Sequence, residues 1–377
     1  MVLHMPTGSG KTRMAMHIVC RHLLQHTATA VIWLANSEEL CEQAADEFSR
    51  AWQCLGNRSV DLHRFWGDRT LNTANIQDGL VVGGFPKLYA LAKNDPTHIA
   101  ALGDKTTLLV IDEAHQAIAP TYALIIQGLA ARQFDMPVLG LTATPGRTWN
   151  NPDADRLLAD FFANAKVTLD VPGYGNPVDF LVKQGFLAAP TFHRIEHAPT
   201  NLTPSDLAQL ECDLDVPAAI LKKLAADEVR TVKIVRELEK LMANHQRIIV
   251  FATTVGHAHL LTAVLCARNV LARCVTANTG EQGRADNIEW FKEQSSEQKV
   301  IVNFGVLTTG FDAPQTSAVL IARPTKSLVL YSQMVGRAIR GPKAGGNISA
   351  EIVTVVDTAL PGFGDVASAF TNWEDVW

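Results

Sequence analysis

Three groups of residues in this sequence have the type and spacing to handle a phosphoanhydride. The first is Pro6-Thr7-Gly8-Ser9-Gly10-Lys11-Thr12. Gly8 and Gly10 let backbone N–H groups close around an anion, and a helix starting there would add the unpaired donors of its first turn. In that frame Thr7, Gly8, Ser9 and Gly10 cradle phosphate oxygens, Lys11 reaches the β- and γ-phosphates, and the Thr12 hydroxyl holds Mg²⁺. The strict spacing G-x-x-x-x-G-K-[ST] is not met, because its first glycine falls on Met5. The second group is Asp112-Glu113, directly after the apolar run at 107–111. Acids at the end of a buried strand cost several kcal/mol unless paired or metal-bound, on the order of the penalty for any buried charge. Beside a phosphate loop, Asp112 would hold Mg²⁺ and Glu113 would orient and deprotonate the attacking water. The third group is Gln333, Arg337 and Arg340, spaced i, i+4 and i+7, so that a helix over 327–340 puts all three on one face. That face reads either as phosphate sensors with an arginine finger or as solvated surface arginines.

The elements that must position these groups are legible around them. Residues 2–5 read as the tail of a buried strand, and 13–25 carry apolar residues at a mostly helical spacing. Short apolar runs at 30–34, 79–82, 107–111 and 137–141 each end in a polar loop. These loops hold Asn36-Ser37, Gly83-Gly84, Asp112-Glu113 and Thr142-Ala143-Thr144 in turn. Ser37, followed by Glu38 and Glu39, reads as a helix entry. Strands alternating with helices, with polar loops at the strand carboxyl ends, give an α/β fold with parallel sheets that bind ligand along one edge. Residues 202–244 are polar and helical. A second half then restarts with strands at 247–251, 272–276, 299–303 and 318–322, the first ending in Thr253-Thr254. The expected division is 1–190, a helical connection over 191–230, a second domain over 231–360, and a tail over 361–377. Phe363, Phe370, Trp373 and Trp377 in that tail either pack back on the second domain or dock a partner.

Composition narrows the class. At 377 residues the chain suggests two or three domains, and 47% hydrophobic with 19% charged residues is globular rather than disordered. No apolar run is long enough to span a membrane, and the start has no room for a signal segment ahead of the phosphate loop, so a cytoplasmic protein is expected. Six cysteines without C-x-x-C pairing read as reduced, buried thiols with no zinc role. A net charge of −5 argues against a basic coat, so any nucleic acid must be gripped locally.

Taken together, these stretches resemble superfamily 2 helicases of the DEAH-box type, from residue 2 to about 357. P-T-G-S-G-K-T, a variant seen in such motors, corresponds to motif I, A-N-S-E-E-L to motif Ia, D-E-A-H to motif II and T-A-T-P to motif III. In the second half V-F-A-T-T corresponds to motif IV, T-T-G-F-D-A-P to motif V and Q-M-V-G-R-A-I-R to motif VI. The wording of motifs V and VI, with A-R-P-T-K-S between them, looks most like restriction-enzyme motor subunits and bacterial DNA-repair or phage-defence helicases.

The resemblance implies two RecA-like domains, each a mostly parallel sheet flanked by helices, with ATP and Mg²⁺ in the cleft between them. Lys11, Asp112, Glu113, His115, Gln333, Arg337 and Arg340 would then be catalytic, with Gly310 and Asp312 also at the nucleotide. Asn36, Ser37, Gly84, Thr142, Thr144, Thr253, Thr254 and Thr309 would face one nucleic-acid strand, with Thr142 and Thr144 coupling the γ-phosphate state to it. The implied activity is ATP-driven movement along DNA. The alternatives are a DNA-sensing ATPase subunit that gates a partner or nuclease effector without unwinding, and an RNA helicase. Two departures stand out. Only five residues precede Pro6, where relatives carry an adenine-clamping helix and glutamine motif. The expectation is therefore that the clamp is missing or comes from another subunit, and that the chain binds ATP weakly with little base selectivity. Asn36-Ser37 also stand where relatives often place a basic residue.

Overall fold

The structure, a computed structural model, describes residues 1–131, 135–144, 152–213, 215–308 and 311–360, and of these the side chains of 152–155, 211, 212 and 328 are not considered. Thr309, Gly310 and the aromatic tail at 361–377 therefore lie outside the described residues. The chain divides into a first unit ending at Leu169 and a second beginning at Asp170.

In the first unit the strands are β1 (Val2–His4), β2 (Ala30–Ala35), β3 (Asp61–Phe65), β4 (Gly79–Gly84), β5 (Thr106–Asp112), β6 (Val138–Thr142) and β7 (Lys166–Thr168). They form one sheet in the order β3-β4-β2-β5-β6-β1-β7, every pairing parallel. The helices are α1 (Lys11–Gln25), α2 (Glu38–Leu55), α3 (Phe85–Asn94), α4 (Pro96–Asp104), α5 (Pro120–Leu129) and α6 (Pro152–Phe161). Because helices cover both faces, the inner strands are apolar throughout rather than alternating; all six residues of β2 are buried. One face packs Leu3, Val31 and Trp33 against Met16, Val19 and Leu23 of α1 and Phe48 of α2. The other packs Val2, Ile32 and Leu34 against Leu88, Ile99 and Ile125 of α3, α4 and α5. Gly140 in β6 is required by close approach, since a Cβ there would meet the Phe162 ring at 2.5 Å and Ala114 Cβ at 2.7 Å.

The second unit contains β8 (Ala189–His197), β9 (Arg247–Phe251), β10 (Leu271–Thr276), β11 (Lys299–Phe304), β12 (Ala318–Ile321) and β13 (Ser349–Asp357). These pair in parallel in the order β10-β11-β9-β12-β13-β8. Its helices are α7 (Pro177–Lys183), α8 (Pro204–Cys212), α9 (Ala218–Ala225), α10 (Glu228–Met242), α11 (Val255–Ala267), α12 (Glu281–Lys292) and α13 (Leu328–Val335). Among the described residues no helix is long and apolar enough to cross a membrane.

Three sequence expectations need correction. The change of unit falls ahead of residue 190, because β8 pairs along its whole length with β13 and so belongs to the second sheet. Residues 191–230 thus hold a strand as well as helices. The helix expected over 327–340 stops at Val335. Beyond it Ala188 N–H donates to Ile339 O at 3.0 Å and Gly341 N–H to Phe186 O at 3.0 Å, pulling the chain into an antiparallel bridge between Leu187 and Arg340. Of the cysteines, Cys20 and Cys41 are buried, but Cys54 and Cys266 are exposed.

A buried polar knot ties the second unit together. Arg230 of α10 and Asp357 at the end of β13 are both wholly buried, joined by Nε to Oδ1 at 2.8 Å and by an Nη to Oδ2 at 2.9 Å. The guanidinium also donates to Thr253 Oγ1 at 3.0 Å and to Ala322 O at 2.6 Å. Nearby, His257 Nδ1 accepts from the Thr253 N–H at 3.3 Å. Burial, and secondarily Arg230, lowers the His257 imidazole to about 4.

Two outcomes follow from this knot. Arg230→Met alone leaves a buried unpaired carboxylate and is expected to cost about 3–5 kcal/mol, most of it recovered by adding Asp357→Leu. Urea unfolding checks this, and a single variant as stable as the parent contradicts it. The second outcome concerns pH. The unfolded imidazole takes a proton near its ordinary value of 6.5, whereas the folded one resists until about 4. Its contribution is complete above the unfolded value and is lost as pH falls between the two. His257→Asn should therefore flatten the acid side of the stability–pH curve, and an unchanged slope would count against a buried neutral imidazole.

Candidate active site

The phosphate loop forms between β1 and α1. Met5 N–H donates to Thr142 O at 3.1 Å, fixing where the strand ends. The turn closes on the Pro6 carbonyl, which accepts from Ser9 N–H at 3.1 Å, Ser9 Oγ at 2.6 Å and Lys11 Nζ at 3.3 Å. Gly8 and Gly10 have φ of 81° and 93°, a left-handed conformation that glycine adopts without strain. Gly10 is the N-cap of α1 and supplies no side chain to the first turn. The donors there are therefore presented to an anion, which a helix N-terminus favours.

β5 delivers the acids to the same sheet edge. Asp112 is buried, and its Oδ1 accepts from the Glu113 N–H at 3.0 Å. Glu113 has φ 52° and ψ 55°, left-handed for a residue with a side chain. Such a conformation costs of the order of 1–3 kcal/mol and persists only where its surroundings impose it. His115, buried in the following 3₁₀ turn, places Nδ1 3.4 Å from Glu113 Oε2. Burial first and the neighbouring Glu113 charge second raise the Asp112 carboxyl above its ordinary value, while Lys11 opposes them. A dry carboxylate held against its preference, two strands away from a loop carrying Thr12, fits a hard divalent cation with oxygen ligands. Asp112 and Thr12 would hold the ion.

The other expected residues divide into those at the sheet edge and those inside. Asn36 and Ser37 follow β2, where Ser37 Oγ caps α2 by accepting from Leu40 N–H at 3.3 Å. Gly84 ends β4 beside Trp66, whose Cβ a side chain at 84 would meet at 2.9 Å. Thr142 and Thr144 are buried and bonded to each other, Thr142 Oγ1 donating to Thr144 O at 2.8 Å and accepting from Thr144 N–H at 3.1 Å. They lie at the carboxyl end of β6, the strand between those carrying the acids and the phosphate loop, and are not on the surface. Thr253 is likewise buried, its hydroxyl committed to Ala322 O at 3.0 Å and to Arg230. The expectation that its hydroxyl touches a strand is corrected by that commitment, and Thr254, the partly exposed cap of α11, is its accessible neighbour.

Gln333 is nearly buried on α13, but Arg337 and Arg340 lie past the helix and do not share its face. Arg337 donates to the carbonyls of Phe311 and, at 2.7 Å, Thr308, bracing the loop that contains them. Arg340 Nε lies 3.3 Å from Asp312 Oδ1 at a partly exposed rim. Sequence reasoning missed Gln116. Its Oε1 accepts from Tyr122 OH at 3.0 Å and Asn36 Nδ2 at 3.4 Å, and Tyr122 stacks on Phe85 with ring centroids 4.2 Å apart. One amide thus links the turn after Asp112-Glu113 to the loops at 36 and 85. The only sequence signal was its place directly after His115.

Comparison with known proteins bears on the fold and the domains that carry these residues. Residues 1–147 match the model of the type III restriction enzyme res subunit, and 231–342 match the helicase conserved C-terminal domain. A Schizosaccharomyces pombe protein described as a putative mitochondrial ATP-dependent helicase irc3 is 26% identical, over 89% of this chain and 50% of its own. A DNA 3'-5' translocase XPB2 of Sulfurisphaera tokodaii is 22% identical over 94% of this chain and 77% of its own. The fold also matches a fragment of a putative HsdR subunit of a type I restriction enzyme from Vibrio vulnificus, with TM-score 0.64 and 20% identity, over 99% of this chain and 61% of that one. The chain spans about half or less of the length of the first relatives it matches.

The buried acid pair generates a prediction opposite in sign to most site mutations. Asp112→Asn removes one of two adjacent like charges from a dry position. The nucleotide-free variant is expected to melt a few degrees above the parent, of the order of 1 kcal/mol or more, although it disables the proposed metal site. A lower melting temperature would mean that the Asp112 charge is already compensated inside the fold.

Proposed function

We propose that this chain, which carries the ResIII and helicase C-terminal domains on the superfamily 2 helicase fold, is an ATP-hydrolysing translocase or helicase acting on DNA. The observation that carries this reading is the gathering of four loops at one carboxyl edge of the first sheet. They are the phosphate loop, the Asp112-Glu113 pair, Asn36-Ser37 and Gly84-Phe85, with Gln116 bonded between the chemistry and the outer loops. Backbone donors of residues 7–12 would hold the phosphates and Lys11 would balance their charge. A Mg²⁺ ion held by Thr12 and Asp112 would supply charge neutralisation at the β- and γ-oxygens. Glu113 takes a proton from the attacking water as that water's oxygen bonds the γ-phosphorus and the bond to the ADP oxygen breaks. Gln333, Arg337 and Arg340 are assigned to the transferring phosphoryl group by residue type and motif order. DNA is favoured over RNA because the S. tokodaii relative, matched over 94% of this chain and 77% of its own, is described as a DNA translocase and the Vibrio fold match as a restriction-enzyme subunit.

Steady-state ATP hydrolysis with single-stranded DNA, duplex DNA and RNA side by side tests the substrate. Stimulation by DNA well above RNA is expected, and stimulation by RNA alone would overturn the assignment. Glu113→Gln should lower turnover by ~10²–10⁴ while nucleotide-dependent DNA binding persists. Arg340→Ala should lower kcat by ~10³ with ATP still bound. If Arg340→Ala changed only the KM for ATP, its role would be ground-state binding instead.

A further inference from the structure

The second sheet has its own carboxyl edge, and one loop on it closes on an internal carboxylate that none of the assigned roles uses. β12 ends at Ile321, and Ala322-Arg323-Pro324-Thr325-Lys326-Ser327 lead into α13. Two hydrogen-bond donors and a guanidinium from this loop approach a single carboxylate, Asp215, from the segment joining α8 to α9. Lys326 N–H donates to Asp215 Oδ1 at 2.9 Å and Thr325 Oγ1 donates to the same oxygen at 3.1 Å. An Arg323 Nη lies 3.8 Å from Asp215 Oδ2. The loop is also fixed by contacts of its own. Arg323 lies over the Phe304 ring at 5.0 Å from its centroid, Thr325 Oγ1 also accepts from Ser327 N–H at 3.0 Å, and Ser327 caps α13. The buried Arg323 Nε has no hydrogen-bond partner among the described residues, so the guanidinium retains a donor that the carboxylate does not use.

An N–H, a hydroxyl and a guanidinium closing on one acceptor oxygen pair are the donor set that holds a phosphate as readily as a carboxylate. The place also lies beside a turn expected from the sequence to contact a strand. Ala322, the first residue of the loop, accepts from Thr253 Oγ1 at 3.0 Å, so the site adjoins the Thr253-Thr254 turn at the end of β9. The covering segment is acidic at alternate positions, Glu211, Asp213 and Asp215. It is fastened further by Lys326 Nζ, which donates to the carbonyls of Leu210 and, at 3.0 Å, Asp213.

We propose that Arg323, Thr325 and the Lys326 N–H form a binding site for a phosphodiester group of a nucleic-acid strand, and that Asp215 fills it when no strand is bound. The inference rests on the reading of this chain as a nucleic-acid motor and adds to it a built-in competitor. Strand binding must first displace an internal carboxylate, which keeps the resting affinity low and releases the α8–α9 segment only when a strand arrives. A simple tether between the segment and the loop has the opposite consequence, since removing it would loosen the loop and weaken binding.

The test is fluorescence anisotropy of a labelled 20-mer single-stranded DNA with the full chain, in the absence of nucleotide, across a salt series. Asp215→Ala is expected to tighten binding by about tenfold, the size of one charge-assisted contact. It should also steepen the log Kd against log salt slope by about 0.7, one added phosphate on a single strand. Asp215→Asn keeps the shape and an acceptor and should give a smaller gain in the same direction, which keeps the test valid if the alanine variant melts. Adding Arg323→Gln or Thr325→Val to Asp215→Ala should remove the gain. If the parent binds DNA and folded Asp215→Ala binds it equally or more weakly, the inference fails while the motor reading stands. If neither binds any nucleic acid, both fail. Inorganic phosphate at millimolar concentration is the second arm: full competition with the oligonucleotide in Asp215→Ala would assign the site to free anions and overturn the strand assignment.

Discussion

The parallel pairing of β6 between β5 and β1 is the constraint on which the rest of the first unit depends. It sets Leu141 beside Asp112 on one side and beside Leu3 on the other, so the acids and the phosphate loop leave the same sheet edge two strands apart. Strand spacing of about 4.8 Å makes that separation roughly 10 Å between backbones, a distance that a lysine and a carboxylate can share with one phosphate and one metal ion. The ladder is continued past the last strand residue by Met5 N–H to Thr142 O. It tolerates no side chain at Gly140, where the strand passes Phe162 and Ala114. A one-residue slip would turn every core side chain to the opposite face and separate the two halves of the site.

On this rigid frame the first unit carries two local penalties. Asp112 is buried beside a second acid, and Glu113 holds a left-handed backbone. Both are the kind of cost that the proposed ligands would relieve: a cation would offset the first, and the fixed Glu113 would serve to direct a water toward a phosphate. The same principle recurs in the second unit with opposite bookkeeping. There Arg230 and Asp357 are paired with each other, and Arg230 donates to two further acceptors, one of them the hydroxyl of the buried Thr253. Paired charge holds the frame of the second unit, and a buried acid beside a second acid stands at the candidate site of the first.

How far this was legible from the sequence follows the range of the interactions. The phosphate loop, the acid pair and the buried strands around them were readable because local composition decides them: glycines, a lysine and apolar runs. The strands β3 and β8 were not picked out, as Asp61–Phe65 and Ala189–His197 are polar edge strands of their sheets, and β8 even carries Pro190. β13 is apolar but pairs with β8 across most of the unit, and nothing local announces that pairing. The helix over 327–340 was overextended because i, i+4, i+7 spacing cannot sense the backbone bonds to Phe186 and Ala188 that end it. Thr253 carried the residue type of a surface contact, but its burial is decided by Arg230, distant in sequence. Gln116 had no sequence signal beyond position.

If the bonded path from Glu113 through Gln116 to Asn36 joins two working sites, then nucleotide state and strand affinity are linked, and the coupling is reciprocal. The direct measurement is the Kd of the intact chain for labelled single-stranded DNA with a non-hydrolysable ATP analogue and again with ADP, both with Mg²⁺. The account predicts that the two values differ by at least about tenfold, a coupling of ~1.4 kcal/mol. Equal affinities in the two nucleotide states would contradict it.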